Sequence, residues 1–243
     1  MNPIVIIPAR LGSTRLPGKP LADINGKPMI VRMLELGRAA DIGPVAVACG
    51  DPEIADAIRS AGGRAVLTDP ALPSGSDRVH AALAELDPDR RHDVVVNLQG
   101  DLPALEPAVI RAAVAALPGA DIATLAAEIT DPAERDNPSV VKAVVAWEAD
   151  GKKGRALYFT RATAPGGEGP LFHHVGIYAF TRQALTRFVA LPPSPLEKRE
   201  KLEQLRALEA HMTIAVARVD RVPLSVDTPA DLTRANTLLK NAP

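Results

Sequence analysis

Four short apolar runs, IVII at 4–7, VAVAC at 45–49, AVL at 65–67 and VVVN at 94–97, are separated by segments 29–40, 52–61 and 76–86, whose apolar residues recur at helical spacing. Runs apolar on both sides must be covered on both faces, and strands separated by a helix run parallel because the chain has to cross back before pairing again. The pattern therefore predicts an α/β fold with a mostly parallel, Rossmann-like sheet and helices on both faces. Such a sheet binds ligands at the carboxyl ends of its strands. Chemistry is expected in two loops: PARLGSTRLPGKPL after the first run, and LQGDLP after the run ending at Asn97.

Composition narrows the function classes. With 243 residues and 47% hydrophobic content the chain fits one domain over 1–243 with a sizeable core. Aromatic residues at 3% make that core aliphatic and argue against an extended base-stacking surface. Lys plus Arg number 28 against 29 for Asp plus Glu, so no overall basic field is available for nucleic acid and any anion site must be local. The lone Cys49 can form neither an intrachain disulfide nor a thiolate cluster and reads as a small buried hydrophobe. The opening MNPIVIIPAR has no basic stretch followed by a long apolar one, and no later run is long enough to span a bilayer, so the expectation is a soluble, cytoplasmic protein with no membrane partner.

Beyond about residue 121 the alternation weakens. Runs at 122–127, 140–147 and 175–180 are separated by long connections, and ATAPGGEGP at 162–170 reads as an exposed loop. The stretch 192–212 reads as one or two helices forming a smaller C-terminal appendage, and a capped helix near 227–230 closes the chain.

The first loop carries Arg10, Arg15 and Lys19 with Gly12 and Gly18 among them and no acidic residue before Asp23. Glycines permit unusual dihedrals and close backbone approach, and Ser13 and Thr14 add hydroxyl donors. Like charges 4 Å apart repel by about 4 kcal/mol at an effective dielectric of roughly 20, so such a cluster is suited to a polyanion such as a triphosphate. The loop is neither GxxxxGK[ST] nor GxGxxG, which disfavours ordinary P-loop NTPases and dinucleotide oxidoreductases.

PARLGSTRLPGKPL resembles the signature loop of the 3-deoxy-manno-octulosonate cytidylyltransferases, the CMP-Kdo synthetases. The likeness continues through INGKPMI at 24–30, SGSDR at 74–78, NLQGDLP at 97–103, LYFTRA at 157–162, HVGIY at 174–178, PSPLEKREKLEQLR at 193–206 and VDTPADL at 226–232. It implies a nucleotide-diphospho-sugar transferase-like fold and transfer of CMP from CTP to 3-deoxy-D-manno-octulosonate (Kdo), which activates the sugar for lipopolysaccharide synthesis. It also implies a homodimer and a sugar-binding and dimerisation subregion at about 155–215. A cytidylyltransferase for a related acid, 8-amino-Kdo or a nonulosonate, and a non-catalytic CTP-binding protein remain alternatives.

Nucleotidyl transfer calls for Mg²⁺, a hard cation that takes one or two protein carboxylates plus phosphate oxygens and water. Asp101, after a buried run and the turn-forming Gly100, is placed to aim a carboxylate into the site. Asp227 precedes Thr-Pro at a helix start and, read alone, is first of all an N-cap; the resemblance makes it the second metal ligand. SGSDR opens a helix, where Ser74 and Arg78 could cap and be solvated or could hold base or phosphate; the resemblance puts both on CTP. The expected catalytic set is Lys19, Arg10, Asp101 and Asp227, with Arg15, Ser74, Arg78 and Gln99 also on the nucleotide.

An acidic sugar needs a cation for its carboxylate and amide, imidazole and carboxylate groups for its hydroxyls. Gln99, Arg161, His174, Tyr178, Glu203 and Gln204 meet that need and match the family's substrate contacts, with Arg161 as the carboxylate clamp. Read alone, Tyr178 is also a half-buried strand residue, Glu203 and Gln204 the wet face of a helix, and His174 a core histidine.

Overall fold

The computed structural model describes residues 1–240. Along the chain run β1 (Pro3–Ala9), β2 (Asp23–Ile24), β3 (Lys27–Pro28), α1 (Met29–Ala39), β4 (Val45–Cys49), α2 (Pro52–Ser60), β5 (Arg64–Leu67), α3 (Gly75–Leu86), β6 (Val94–Asn97) and α4 (Pro107–Ala116). There follow β7 (Ile122–Glu128), α5 (Pro132–Arg135), β8 (Lys142–Trp147), β9 (Lys153–Thr160), β10 (Phe172–Thr181), α6 (Arg182–Ala190), α7 (Pro195–Glu200), α8 (Leu205–Glu209), β11 (Ile214–Val219) and α9 (Pro229–Leu239). The chain forms two compact units, one of residues 1–111 with the stretch from 223 onward, the other of residues 112–222. The 155–215 segment marked out from sequence lies inside the second.

In the first unit the four expected strands form a parallel sheet in the order β5-β4-β1-β6. Crossovers between parallel strands are right-handed as a rule, which assigns α1 and α2, in contact with each other, to one face and, because the connection from β5 back to β6 runs the other way, α3 to the other, where it packs on β1, β4 and β5. Strand order thus reverses at β1, and the loops leaving β1 and β6 emerge side by side at one edge. A small cluster of Leu16, Ile24, Met29, Val226 and Ala235 buries the middle of the first loop against the segment entering α9.

The second unit departs from the expectation of a mostly parallel sheet. Its strands run β10-β7-β11-β9-β8, with β11 parallel to β7 and the β10–β7, β11–β9 and β8–β9 pairs antiparallel. β9 and β11 were not anticipated. β9 opens with Lys153, Gly154 and Arg155, which mask its period, whereas IAV at 214–216 did carry a buried-run signal. Lys142 is fully buried here, its ammonium satisfied by the carbonyls of Asn137 at 2.8 Å and Val140 at 2.9 Å. The 192–212 stretch forms two short helices, α7 with a Ser194–Glu197 capping box, and α8. Among the described residues no helix is long and apolar enough to cross a membrane.

Candidate active site

The loop after β1 is held from both ends. Leu11 N–H donates to Asp51 Oδ2 at 2.7 Å, and Leu16 N–H reaches Ser13 Oγ at 3.3 Å. Gly18 takes a left-handed φ of 67° at the entrance to a short 3-10 turn, Lys19–Leu21, a conformation that a side chain would strain. This bend brings Lys19 back toward the sheet edge.

There Lys19 Nζ donates to Asp101 Oδ2 at 2.8 Å and to Asp227 Oδ1 at 3.0 Å. Asp101 sits on the loop after β6, the neighbour of β1, and its carbonyl accepts from Val226 N–H at 2.9 Å, which fixes the start of the Asp227 segment. Asp227 also receives Arg15 Nη2 at 3.0 Å. It does not cap α9: Thr228 does, in a reciprocal capping box with Asp231. The capping alternative for Asp227 is therefore taken by its neighbour, and its carboxylate is free to face Lys19. Burial opposes the Lys19 charge, but the attraction and hydrogen bonds of Asp101 and then of Asp227 outweigh it and raise the pKa above the ordinary value.

Arg78, at 2% exposure, projects from α3, where its Nη1 bonds the Thr68 hydroxyl and the Asp69 carbonyl. Burial and then the neighbouring Arg10 push its pKa down. Gly50 makes room for both: a Cβ there would lie 3.0 Å from Arg78 Nη1 and 3.2 Å from Arg10 Cβ. Ser74 caps α3, accepting from Asp77 N–H and donating to its carboxylate at 2.6 Å. Gln99 Nε2 points to Asn97 Oδ1 at 3.4 Å.

All eight expected nucleotide and metal residues, Arg10, Arg15, Lys19, Ser74, Arg78, Gln99, Asp101 and Asp227, line one cavity of about 360 Å³. Sequence reasoning missed Asp51, which stands at the N-cap position of α2 without a side-chain cap and instead holds Leu11 N–H, and the 68–73 loop after β5, which contributes Thr68 beneath Arg78 and Leu72 to the wall. Two carboxylates sharing one cationic point, with no cluster of three His, Cys, Asp or Glu among the described residues, are a donor set suited to a hard cation that draws its remaining ligands from phosphate and water.

The other expected sugar residues lie in the second unit. Arg161 follows β9 and is pinned to α7, its N–H on Glu200 Oε2 at 3.1 Å and its Nε on the Glu200 carbonyl at 3.0 Å. His174 and Tyr178 on β10 bring their rings to 5.6 Å, and His174 packs edge-on against Phe159. Burial drives the His174 pKa down to about 3, so the ring is neutral. Burial, then the charge of Glu203, raises that of Tyr178. Gln204 is buried rather than on a wet face, with its Nε2 lacking a hydrogen-bond partner. Cys49 is buried as expected, its thiol pushed up to about 12 by burial.

A family model described as cytidylyltransferase matches residues 4–214. The chain is 67% identical to a 3-deoxy-manno-octulosonate cytidylyltransferase of Rhodospirillum centenum, covering 98% of this chain and 93% of that protein. It is 65% identical, with the same coverage, to one of Parvibaculum lavamentivorans. Among solved structures, CMP:2-keto-3-deoxy-manno-octonic acid synthetase complexed with CTP superposes with a TM-score of 0.89 at 38% identity, covering 99% of both chains.

Proposed function

The chain belongs to the 3-deoxy-manno-octulosonate cytidylyltransferase family, and on that premise we propose that it transfers CMP from CTP to Kdo, giving CMP-Kdo and pyrophosphate. The observation that carries this reading is the meeting of Lys19 with Asp101 and Asp227 in a cavity also lined by Arg10, Arg15 and Arg78. In the reaction the anomeric hydroxyl oxygen bonds to the α-phosphorus as the bond from that phosphorus to the pyrophosphate oxygen breaks, and the hydroxyl proton passes to water. Arg10, Arg15 and Lys19 hold the triphosphate and offset charge on the departing pyrophosphate. Ser74, Arg78 and Gln99 fix the rest of the nucleotide.

Asp101 and Asp227 would hold Mg²⁺, which supplies charge neutralisation on phosphate and a lowered pKa for the attacking hydroxyl. Before substrate arrives Lys19 serves as their counter-charge. Arg161 clamps the sugar carboxylate, with His174, Tyr178, Glu203 and Gln204 on the hydroxyls. The buried, unpartnered amide of Gln204 supports this, since such a donor calls for an acceptor. Paired acidic side chains weigh against a CTP sensor without turnover, which has no use for them.

The same reading takes the protein to be cytoplasmic and homodimeric, with the segment after Val175 at the dimer contact and CMP-Kdo destined for lipopolysaccharide. A single buried thiol suits a reducing compartment. Pyrophosphate release from CTP and Mg²⁺ with Kdo, 8-amino-Kdo or sialic acid tests the substrate. Kdo should give the highest kcat/KM, and release with another acid alone, or with none, overturns the proposal.

A further inference from the structure

The ladder between β7 and β10 is broken at one place. Val175 pairs with Leu125 and Ala179 with Ala123, so Gly176, Ile177 and Tyr178 stand opposite Thr124 alone. Such a bulge takes main-chain carbonyls away from their ladder partners, and in a buried sheet each needs another donor. Thr124, with no exposed surface, offers its single hydroxyl hydrogen to this pair, shared between them or held by one: its oxygen lies 3.1 Å from the Val175 carbonyl and 2.9 Å from the Ile177 carbonyl. The same oxygen is 2.9 Å from His174 Nε2.

A threonine hydroxyl has one hydrogen and two lone pairs, while a carbonyl can only accept. The hydrogen must therefore go to the carbonyls. Were it given to His174 instead, both carbonyl oxygens would face bare lone pairs in a buried site. The Thr124 oxygen is left to accept, so His174 Nε2 must carry a hydrogen. The doubly protonated ring is ruled out by burial, since a lone charge there has no carboxylate partner in hydrogen-bond range.

We propose that Thr124 is a positioning residue that fixes His174 as the neutral Nε2–H tautomer, leaving a bare Nδ1 that accepts a hydrogen from a hydroxyl of the sugar. The second half rests on the proposed function. It divides the recognition chemistry: a bare nitrogen repels a carboxylate and receives a hydroxyl, so the sugar's carboxylate falls to Arg161 and the imidazole reads a hydroxyl. The bulge, the threonine and the imidazole then form one device, in which repair of a broken ladder sets a side chain's hydrogen-bonding sense.

The test is ¹⁵N NMR of the full chain labelled at histidine, with the His174 signals identified by their loss in His174→Gln. Without substrate, Nε2 should be protonated and Nδ1 bare; an Nδ1–H ring or an imidazolium at neutral pH overturns the tautomer assignment. Kdo, added with CTP and Ca²⁺ in place of Mg²⁺ to slow turnover, should move the Nδ1 signal while Nε2 keeps its hydrogen; an unmoved Nδ1 overturns the hydroxyl contact. Thr124→Val should mix the tautomers and raise KM for Kdo about fivefold, the worth of one hydrogen bond, with KM for CTP unchanged. Thr124→Ser should restore both. Unchanged ring signals in a folded Thr124→Val also count against the proposal, and if that variant does not fold the wild-type spectrum still decides. Absence of turnover by the wild type with Kdo defeats the functional reading separately, whatever the tautomer.

Discussion

Lys19 and Asp227 come from opposite ends of the chain and meet at 3.0 Å, with the same ammonium 2.8 Å from Asp101. This contact joins the loop after β1 to both acidic side chains, so on the proposed function Lys19→Ala should remove a phosphate donor and leave two carboxylates facing each other. Loss of one preorganised donor to a developing charge costs about 3 kcal/mol, roughly a hundredfold in rate. Steady-state pyrophosphate release should fall by at least that factor, and near-normal turnover would contradict the assignment.

Asp101→Asn and Asp227→Asn each keep the shape of the site, replace one carboxylate oxygen by an amide nitrogen and remove one negative charge. Each variant should lose about a hundredfold or more in kcat and need more Mg²⁺ for half-maximal rate. A magnesium titration of activity checks this. An unchanged magnesium requirement in both variants would remove the pair from metal binding.

The first unit and the residues that line its candidate site were largely legible in the sequence, because its strands are continuous apolar runs and most of the lining groups lie on loops directly after them. The loops carrying Arg10 to Lys19 and Asp101 could be picked out because each follows a buried run, while their adjacency comes from the pairing of β1 with β6 in the folded sheet. Asp227 could not, because Asp-Thr-Pro fits two roles locally, and only the folded chain gives the cap to Thr228. In the second unit β9 and the β10 bulge follow from tertiary pairing rather than from local period, which is why the mixed sheet and Thr124 stayed hidden.

Glu200 holds Arg161 by its carboxylate and its carbonyl, while the carboxylate also takes the Thr160 hydroxyl at 2.8 Å. Its pKa lies below the usual value because these hydrogen bonds outweigh burial, which acts the other way. Glu200→Ala removes the acceptor of the Arg161 main-chain N–H and of the Thr160 hydroxyl while the Glu200 and Pro138 carbonyls still hold the guanidinium, so it should loosen the backbone that carries Arg161 and raise KM for Kdo about tenfold, within the range for losing hydrogen bonds to a charged group. KM for CTP should hold. Equal rises for both substrates would mean that Glu200 acts on the whole fold instead.

His174 takes up a proton near 6.5 in an unfolded chain but only near 3 in its buried position. Between these values the unfolded state binds more protons, so this residue's contribution is full above 6.5. It drains by up to about 1.4 kcal/mol per pH unit as the pH falls. His173, lowered by burial despite Glu134, acts in the same direction. Urea unfolding between pH 6.5 and 5 should show a shallower loss of stability in His174→Gln than in the wild type; parallel slopes would place the imidazole in solvent.

A crystal structure with CTP tests the central claim most directly. The triphosphate should lie along the loop carrying Arg10, Arg15 and Lys19, with its α-phosphate turned toward Asp101 and Asp227. A nucleotide bound with its phosphates away from those carboxylates would contradict the account.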